Sequence, residues 1–212
     1  NGVSQLNQLI LTHLDQDHRG GYESIKHDFP IKKVYSNEQV DVENLSQFDY
    51  CRQGQQWHWS DRVNITVLSP KPEHLAKAKF EKNEMSCVVY LQVKNVQPYQ
   101  NFLLMGDAGW ETEYHILQAY PDLKVDVLVL GHHGSRHSSA YHFLKQLKPK
   151  LTVASAGWNN RYGHPSVIVE SRLKELNIPL LTTIKHGSIR FFKQQNIMSI
   201  AFERDRQQWL KH

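Results

Sequence analysis

Cysteine is nearly absent from this chain. Cys51 and Cys87 are the only two among 212 residues. Two cannot build a disulfide framework, and their spacing does not suit a zinc clip. One disulfide between them stays open, and with it the redox compartment. Long apolar stretches are missing too. Runs such as Val127-Leu128-Val129-Leu130 are strand-sized, far short of the ~20 residues a membrane helix needs. Mean hydropathy is −0.57, so the chain as it stands is not expected to span a membrane. Repeats and low-complexity tracts are absent. Asn1-Gly2-Val3-Ser4 carries neither an initiator methionine nor the basic region of a secretory leader. A piece trimmed from a longer chain is therefore expected.

What remains is an ordinary globular composition. Hydrophobic residues make up 40% and charged residues 22%, enough to bury a core in one domain over 1–212. The net charge of +4 is uneven. Residues 1–106 hold 11 Lys and Arg against 12 Asp and Glu, whereas 107–212 hold 14 against 9. A mildly basic half suits an anionic partner such as nucleic acid, or simply a soluble surface. The 13 histidines raise the question of ligand spacing, because imidazole is both a metal ligand and an acid–base group.

Strand and helix patterns alternate, which predicts α/β layers. Strands are expected at 6–11, 33–36, 63–68, 86–93, 102–105, 125–130, 151–155 and 180–184, with a final hairpin of 188–192 and 197–202. The stretch 37–60 lacks a clean period and suggests a helix followed by a strand over 56–59. Helices are expected from Gly20-Gly21 to Asp28, over 110–120 and 139–147, and from the N-cap Ser166 to Leu176. Residues 71–84 read as a charged loop and the tail from Arg204 as frayed.

The polar oddities follow strand ends, where α/β sheets bind ligands. His13-Leu14-Asp15-Gln16-Asp17-His18 offers four metal donors after the first strand, or a solvated loop with helix caps. Asp107 follows Gly106 and suits either a metal bridge or the N-cap of the 110–120 helix. His132-His133-Gly134-Ser135 follows the 125–130 strand. Adjacent histidines are expected to point different ways, so only one would be a direct ligand and the other would hold substrate or support. His164, before a helix, reads as a functional histidine or a plain loop residue.

Together these stretches resemble the metallo-β-lactamase superfamily, and within it the soluble domain of ComEC-type competence proteins. The matching segments are Thr12 to Gly21, Asn83 with Ser86, Gly106-Asp107, Gly131 to Ser135, and Gly157 to Pro165, in the family's order and over nearly the whole chain. The resemblance implies an αββα sandwich, here lacking its N-terminal strands because only one strand precedes His13. It implies two divalent metal ions, manganese or zinc. His13 and Asp15 would face one ion, Asp17 and His18 the other. Asp107 would bridge them, and His132 would be the late ligand of the second, with His133 as fallback. The superfamily's usual second His is Asp15 here. No intervening His matches, since Asn83-Glu84-Met85-Ser86 occupies its place. The first metal would be a ligand short and the site oxygen-rich, which favours manganese.

The same resemblance implies a phosphodiesterase in which Asp17 orients the attacking water and His164 protonates a leaving 3′ oxygen. His133, Ser135, Asn83 and Ser86 would contact substrate. Lys148, Lys150, Arg172 and Lys174 read as surface charges. The implied role is degradation of the non-imported DNA strand during natural transformation. The domain would sit on the periplasmic face of a bacterial inner-membrane protein, with single-stranded DNA and that protein's own channel as partners. A catalytically inert DNA-binding module and a hydrolase of another substrate are the competing readings.

Overall fold

The computed structural model describes residues 4–75 and 82–206. The loop expected over 71–84 lies partly outside these residues, as does the end of the tail. Three parallel strands form a small sheet in the order β1 (Leu9–Ile10), β2 (Val34–Ser36), β3 (Phe48–Tyr50). Between the first two come the short helix α1 (Gln16–Arg19) and α2 (Tyr22–Asp28).

The main sheet follows. Its strands are β4 (Gln56–Ser60), β5 (Val63–Ser69), β6 (Val88–Val93), β7 (Asn101–Leu104), β8 (Val127–Val129), β9 (Leu151–Ala154) and β10 (Leu180–Thr182). They lie in the spatial order β10-β9-β8-β7-β6-β5-β4. β4 to β7 pair antiparallel, β7 to β10 parallel. Helix α3 (Pro72–Leu75) precedes β6, and α4 (Trp110–Ala119), α5 (Tyr141–Leu147) and α6 (Val167–Glu175) are the crossovers between parallel strands. A turn of helix, α7 (Thr183–His186), and the antiparallel hairpin β11 (Ile189–Gln194) and β12 (Ile197–Phe202) follow β10.

The central strands of the main sheet are buried on both faces, which is why they read as continuous apolar runs, whereas the edge strand β4 is largely exposed. Leu103 and Leu128 point to one face, where they pack with Ile116 and Leu117 of α4, Phe143 and Leu144 of α5 and Leu173 of α6. Their neighbours Phe102 and Val127 point to the other, against Phe191, Met198 and Ile200 of the hairpin. Further along, Val67 of β5 packs with Tyr35 of β2 and with Cys51 and Cys87. Tyr22 of α2 covers the outer side of the small sheet, against Leu11 and Val34. The α/β expectation is met: a large mixed sheet with helices.

Several local expectations change. The first strand shrinks to Leu9–Ile10, with Leu6 making only an isolated bridge to Ile31. β3 lies where no strand was read, because its three half-buried residues, Phe48–Tyr50, are too short and too mixed to show a period. The strand expected to reach Ile184 stops at Thr182, whose side chain accepts the Lys185 N–H and starts α7 instead. Pro72–Leu75 is helical rather than loop. Cys51 and Cys87 are joined in a disulfide, Cα–Cα 5.8 Å. Among the described residues no helix is long and apolar enough to cross a membrane.

Candidate metal centre

Three strand ends meet at one spot. The chain leaves β1 through Thr12 and a fully buried His13. It passes Asp15 and enters α1, which carries Asp17 and His18. The Thr12 hydroxyl lies 3.2 Å from Nδ1 of both His13 and His18. It thereby occupies one nitrogen of each ring and leaves both Nε2 atoms facing Asp107. Asp107 follows β7 and is 4% exposed. Its N–H donates to Ser86 Oγ at 3.1 Å. Gly106, at φ 57°, makes this approach possible: a Cβ there would stand 2.9 Å from Thr12 Cβ.

After β8, His132 and His133 adopt φ 47° and 56°. Two consecutive left-handed residues turn both rings to the same side, which extended or helical backbone would not do. The His132 N–H donates to the Gly106 carbonyl at 2.9 Å and ties this turn to the Asp107 loop.

The ring nitrogens converge on the two oxygens of one carboxylate. Asp107 Oδ2 has His13 Nε2 at 3.6 Å and His132 Nε2 at 3.8 Å. Asp107 Oδ1 has His18 Nε2 at 3.0 Å and His133 Nε2 at 3.7 Å. Asp15 Oδ2 joins the first group, 3.8 Å from His13. Asp17 Oδ2 joins the second, 3.0 Å from His133 and 3.8 Å from His18. His133, rather than His132, thus lies with Asp17 and His18, while His132 stands on the side that the sequence left a ligand short.

The donor set is suited to divalent metal ions. His13, His18 and Asp107 present ligand atoms within 4.8 Å of one another, as do Asp17, His18 and His133. His13 Nε2 is buried without a hydrogen-bond partner. His133 Nδ1 lies 2.7 Å from the Ser155 carbonyl, which can only accept, so Nδ1 carries the proton. Its Nε2 lone pair then faces Asp17 Oδ2 at 3.0 Å and His18 Nε2 at 3.4 Å. In the neutral ring that nitrogen is free to bind a cation. Burial pushes the His13 pKa down, and His18 adds to this against the nearby carboxylates. The neutral ring is the form a metal needs. At Asp107 burial pushes the carboxyl up, but His18, His133 and His13 outweigh it and hold it below its ordinary range.

A groove of about 1030 Å³ opens on the centre. Asp15, Asp17, Asp107, His132 and His133 lie on one wall, and the β9–α6 loop with Trp158, Arg161, Tyr162 and His164 on another. His164 stands 5.8 Å from the His132 ring and 6.4 Å from His133, centroid to centroid. Burial and the two neighbouring imidazoles lower its pKa. The other sequence candidates lie elsewhere. Ser86 is fully buried beneath Asp107, where it holds the backbone and cannot touch a ligand. Ser135 is buried too, its hydroxyl accepting the His137 N–H. Asn83 sits half-buried in the helical turn Asn83–Met85, outside the groove lining.

Sequence reasoning missed the residues that brace these loops. Asp107 does not cap α4. Glu84 does so from outside the helix, accepting the N–H groups of Gly109 at 3.2 Å and Thr112 at 3.0 Å. Glu113, buried on α4, accepts the N–H groups of Ser139 and Ala140. Arg172, read as a surface charge, donates to the Ser138 and Ser139 carbonyls at 3.1 and 3.0 Å. Lys150 is half exposed and pairs with Asp126 at 2.7 Å.

The fold places the chain in a known structural class. It superposes on a Parabacteroides distasonis protein provisionally assigned as a metal-dependent hydrolase, with TM-score 0.52 and 14% identity over 85% of this chain and 77% of that one. No family model matches. In sequence it is 33% identical to ComE operon protein 3 of Bacillus subtilis, 32% to competence protein ComA of Neisseria gonorrhoeae and 31% to recombination protein 2 of Haemophilus influenzae. Each alignment covers 90% of this chain but only 25%, 26% and 23% of the relative. The chain is homologous to these ComEC-family proteins and spans about a quarter of their length.

Proposed function

We propose that this chain is a two-metal phosphodiesterase domain that hydrolyses single-stranded DNA during uptake, degrading the strand that is not imported. The observation that carries the reading is the convergence of four imidazole Nε2 atoms on the two oxygens of a single buried carboxylate, Asp107. We read the packed layers as the αββα sandwich of the metallo-β-lactamase superfamily, forming one unit over 1–212. The relatives named for competence and recombination direct the substrate towards DNA. The disulfide suits an oxidising compartment, in keeping with a domain on the periplasmic face of the inner membrane beside the channel of the same protein.

His13, Asp15 and His132 would hold one ion, Asp17, His18 and His133 the other, with Asp107 between them. The nitrogen and oxygen donors accept manganese or zinc. Two such ions supply an activated water at neutral pH and neutralise phosphate charge. Asp17, 62% exposed beside the groove, accepts a hydrogen bond from the attacking water and orients it. His164, whose pKa is lowered by burial and by His132 and His133, gains a proton when an anionic phosphate binds beside it and delivers it to the leaving 3′ oxygen.

Purified protein should cut a single-stranded oligonucleotide with manganese or zinc added. Asp17→Ala and Asp107→Ala should each lower the rate at least ~100-fold. Cutting that survives both substitutions would overturn the assignment. Salt-sensitive binding without cutting would point to an inert DNA-binding module, and turnover of a lactam or lactone alone to another hydrolase.

A further inference from the structure

The β9–α6 loop bears two large aromatic side chains that the metal centre does not use. Trp158 is 76% exposed and Tyr162 is 66% exposed, both on the groove wall. Single exposed apolar residues are common and call for no explanation. Two on one loop, over a groove that leads to a polyanion-cleaving centre, do. Loop rigidity is the second observation. Asn160 donates to the Gly157 carbonyl at 3.0 Å and the His164 carbonyl at 2.8 Å, and its side-chain oxygen accepts the His164 N–H at 2.7 Å. The aromatics are therefore presented on a braced loop, which keeps the entropy cost of a contact low.

The third observation is alignment. The Tyr162 ring stacks on His164 at 5.8 Å and 19°, and His164 stacks on His133 at 6.4 Å and 25°. Near-parallel rings thus run from the centre to the exposed rim. A cation lies on the same path: the Arg161 guanidinium, on the groove wall, stands 4.8 Å from the Tyr162 ring centroid. Flat π faces interleaved with cations are the chemistry that holds unpaired bases and their phosphates. A paired duplex hides its base faces and could not use them.

We propose that Trp158 and Tyr162 form a base-stacking platform that seats the unpaired bases of a nucleic-acid strand while its phosphate lies at the Asp107 centre. This rests on the phosphodiesterase reading for the orientation of the strand, but the platform is testable by binding alone.

The test uses a fluorescent single-stranded oligonucleotide and an abasic strand of the same length, titrated at one fixed salt concentration. Wild-type protein should bind the base-bearing strand more tightly. Trp158→Ala and Tyr162→Ala should each weaken that binding about 5- to 100-fold, the loss of one stacked base, and leave abasic binding within about twofold. Trp158→Phe and Tyr162→Phe should retain most of the affinity, which excludes simple misfolding. The proposal is overturned if wild type binds neither strand, if it binds the two alike, or if the alanine variants bind the base-bearing strand as wild type does. Equal weakening on both strands also overturns it. Metal-dependent cutting of the same strand is scored separately. Base-dependent binding without cutting supports the platform and removes the phosphodiesterase reading.

Discussion

The two histidines after β8 show how much one pair of dihedral angles decides. In extended or helical backbone, neighbouring side chains diverge, and one of the pair would leave the site. Left-handed angles at both positions bring both rings to Asp107. Such a conformation is costly for non-glycine residues and persists only where the surroundings hold it. Asp107 is itself held by a single small residue. Ser86 Oγ accepts its N–H inside the protein, and that donor has no water to fall back on. Ser86→Ala should leave it unpaired at a cost of about 1–3 kcal/mol. The melting temperature should fall by roughly 2–4 °C for each kcal/mol at this chain length. Affinity for manganese, read by titration calorimetry, should drop about 10- to 100-fold, as for other supports of metal ligands. An unchanged affinity would show that the Asp107 loop holds its shape without this bond.

At the scale of elements, the segment from Gly131 to Ala140 carries the paired histidines and is latched from two helices. Glu113 on α4 takes its N–H groups and Arg172 on α6 its carbonyls. Burial pushes the Glu113 carboxyl up to about 7 from its ordinary 4.5, although the Ala140 and Ser139 N–H groups and Arg172 favour the charged form. Between these two values the folded chain keeps a proton that the unfolded chain releases, so this group's contribution to stability falls as pH rises through the window. Glu113→Gln cannot titrate. The stability difference between wild type and variant, from urea unfolding at pH 5 and pH 7.5, should shift against wild type with rising pH, by at most about 1.4 kcal/mol per unit. Parallel curves would mean that Glu113 is ionised throughout.

Neither this latch nor the Glu84 cap was legible in the sequence, because an acidic residue in a helix or turn reads as a solvated face unless its distant partner is known. The strands of the main sheet were legible, since apolar runs such as 125–130 report burial directly. So were the donor types at the strand ends. β3 was not, because Phe48–Tyr50 is three half-buried residues with a central Asp49 and leaves no apolar run. The grouping of His133 with Asp17 and His18 was not either, because it depends on backbone angles that composition does not encode.

Across the whole molecule, the centre is assembled from two sheets. His13 and His18 come from the small sheet, Asp107 and the paired histidines from the main one, so on the two-metal reading metal affinity depends on how firmly the sheets are held together. The Cys51–Cys87 disulfide joins them, closing 36 residues of chain. It sits close to the candidate ligands: the Cys51 N–H donates to the Ser36 carbonyl at 2.9 Å, and the Cys87 N–H to the carbonyl of Thr12, next to His13, at 2.8 Å. Ser86, which holds Asp107, is the next residue. A crosslink closing a loop of this size restrains the unfolded chain by about 3–4 kcal/mol on the chain-entropy view. The Cys51→Ser, Cys87→Ser double variant should lose roughly that much in urea unfolding. It should also bind manganese more weakly than wild type under conditions where both are folded, because Thr12 and its two histidines are then less firmly placed against Asp107. Reduced wild-type protein should behave as the double variant does. Full metal affinity in the folded variant would show that the packing of Tyr35 and Val67 between the sheets suffices to keep the ligands in place, and that the disulfide serves stability alone.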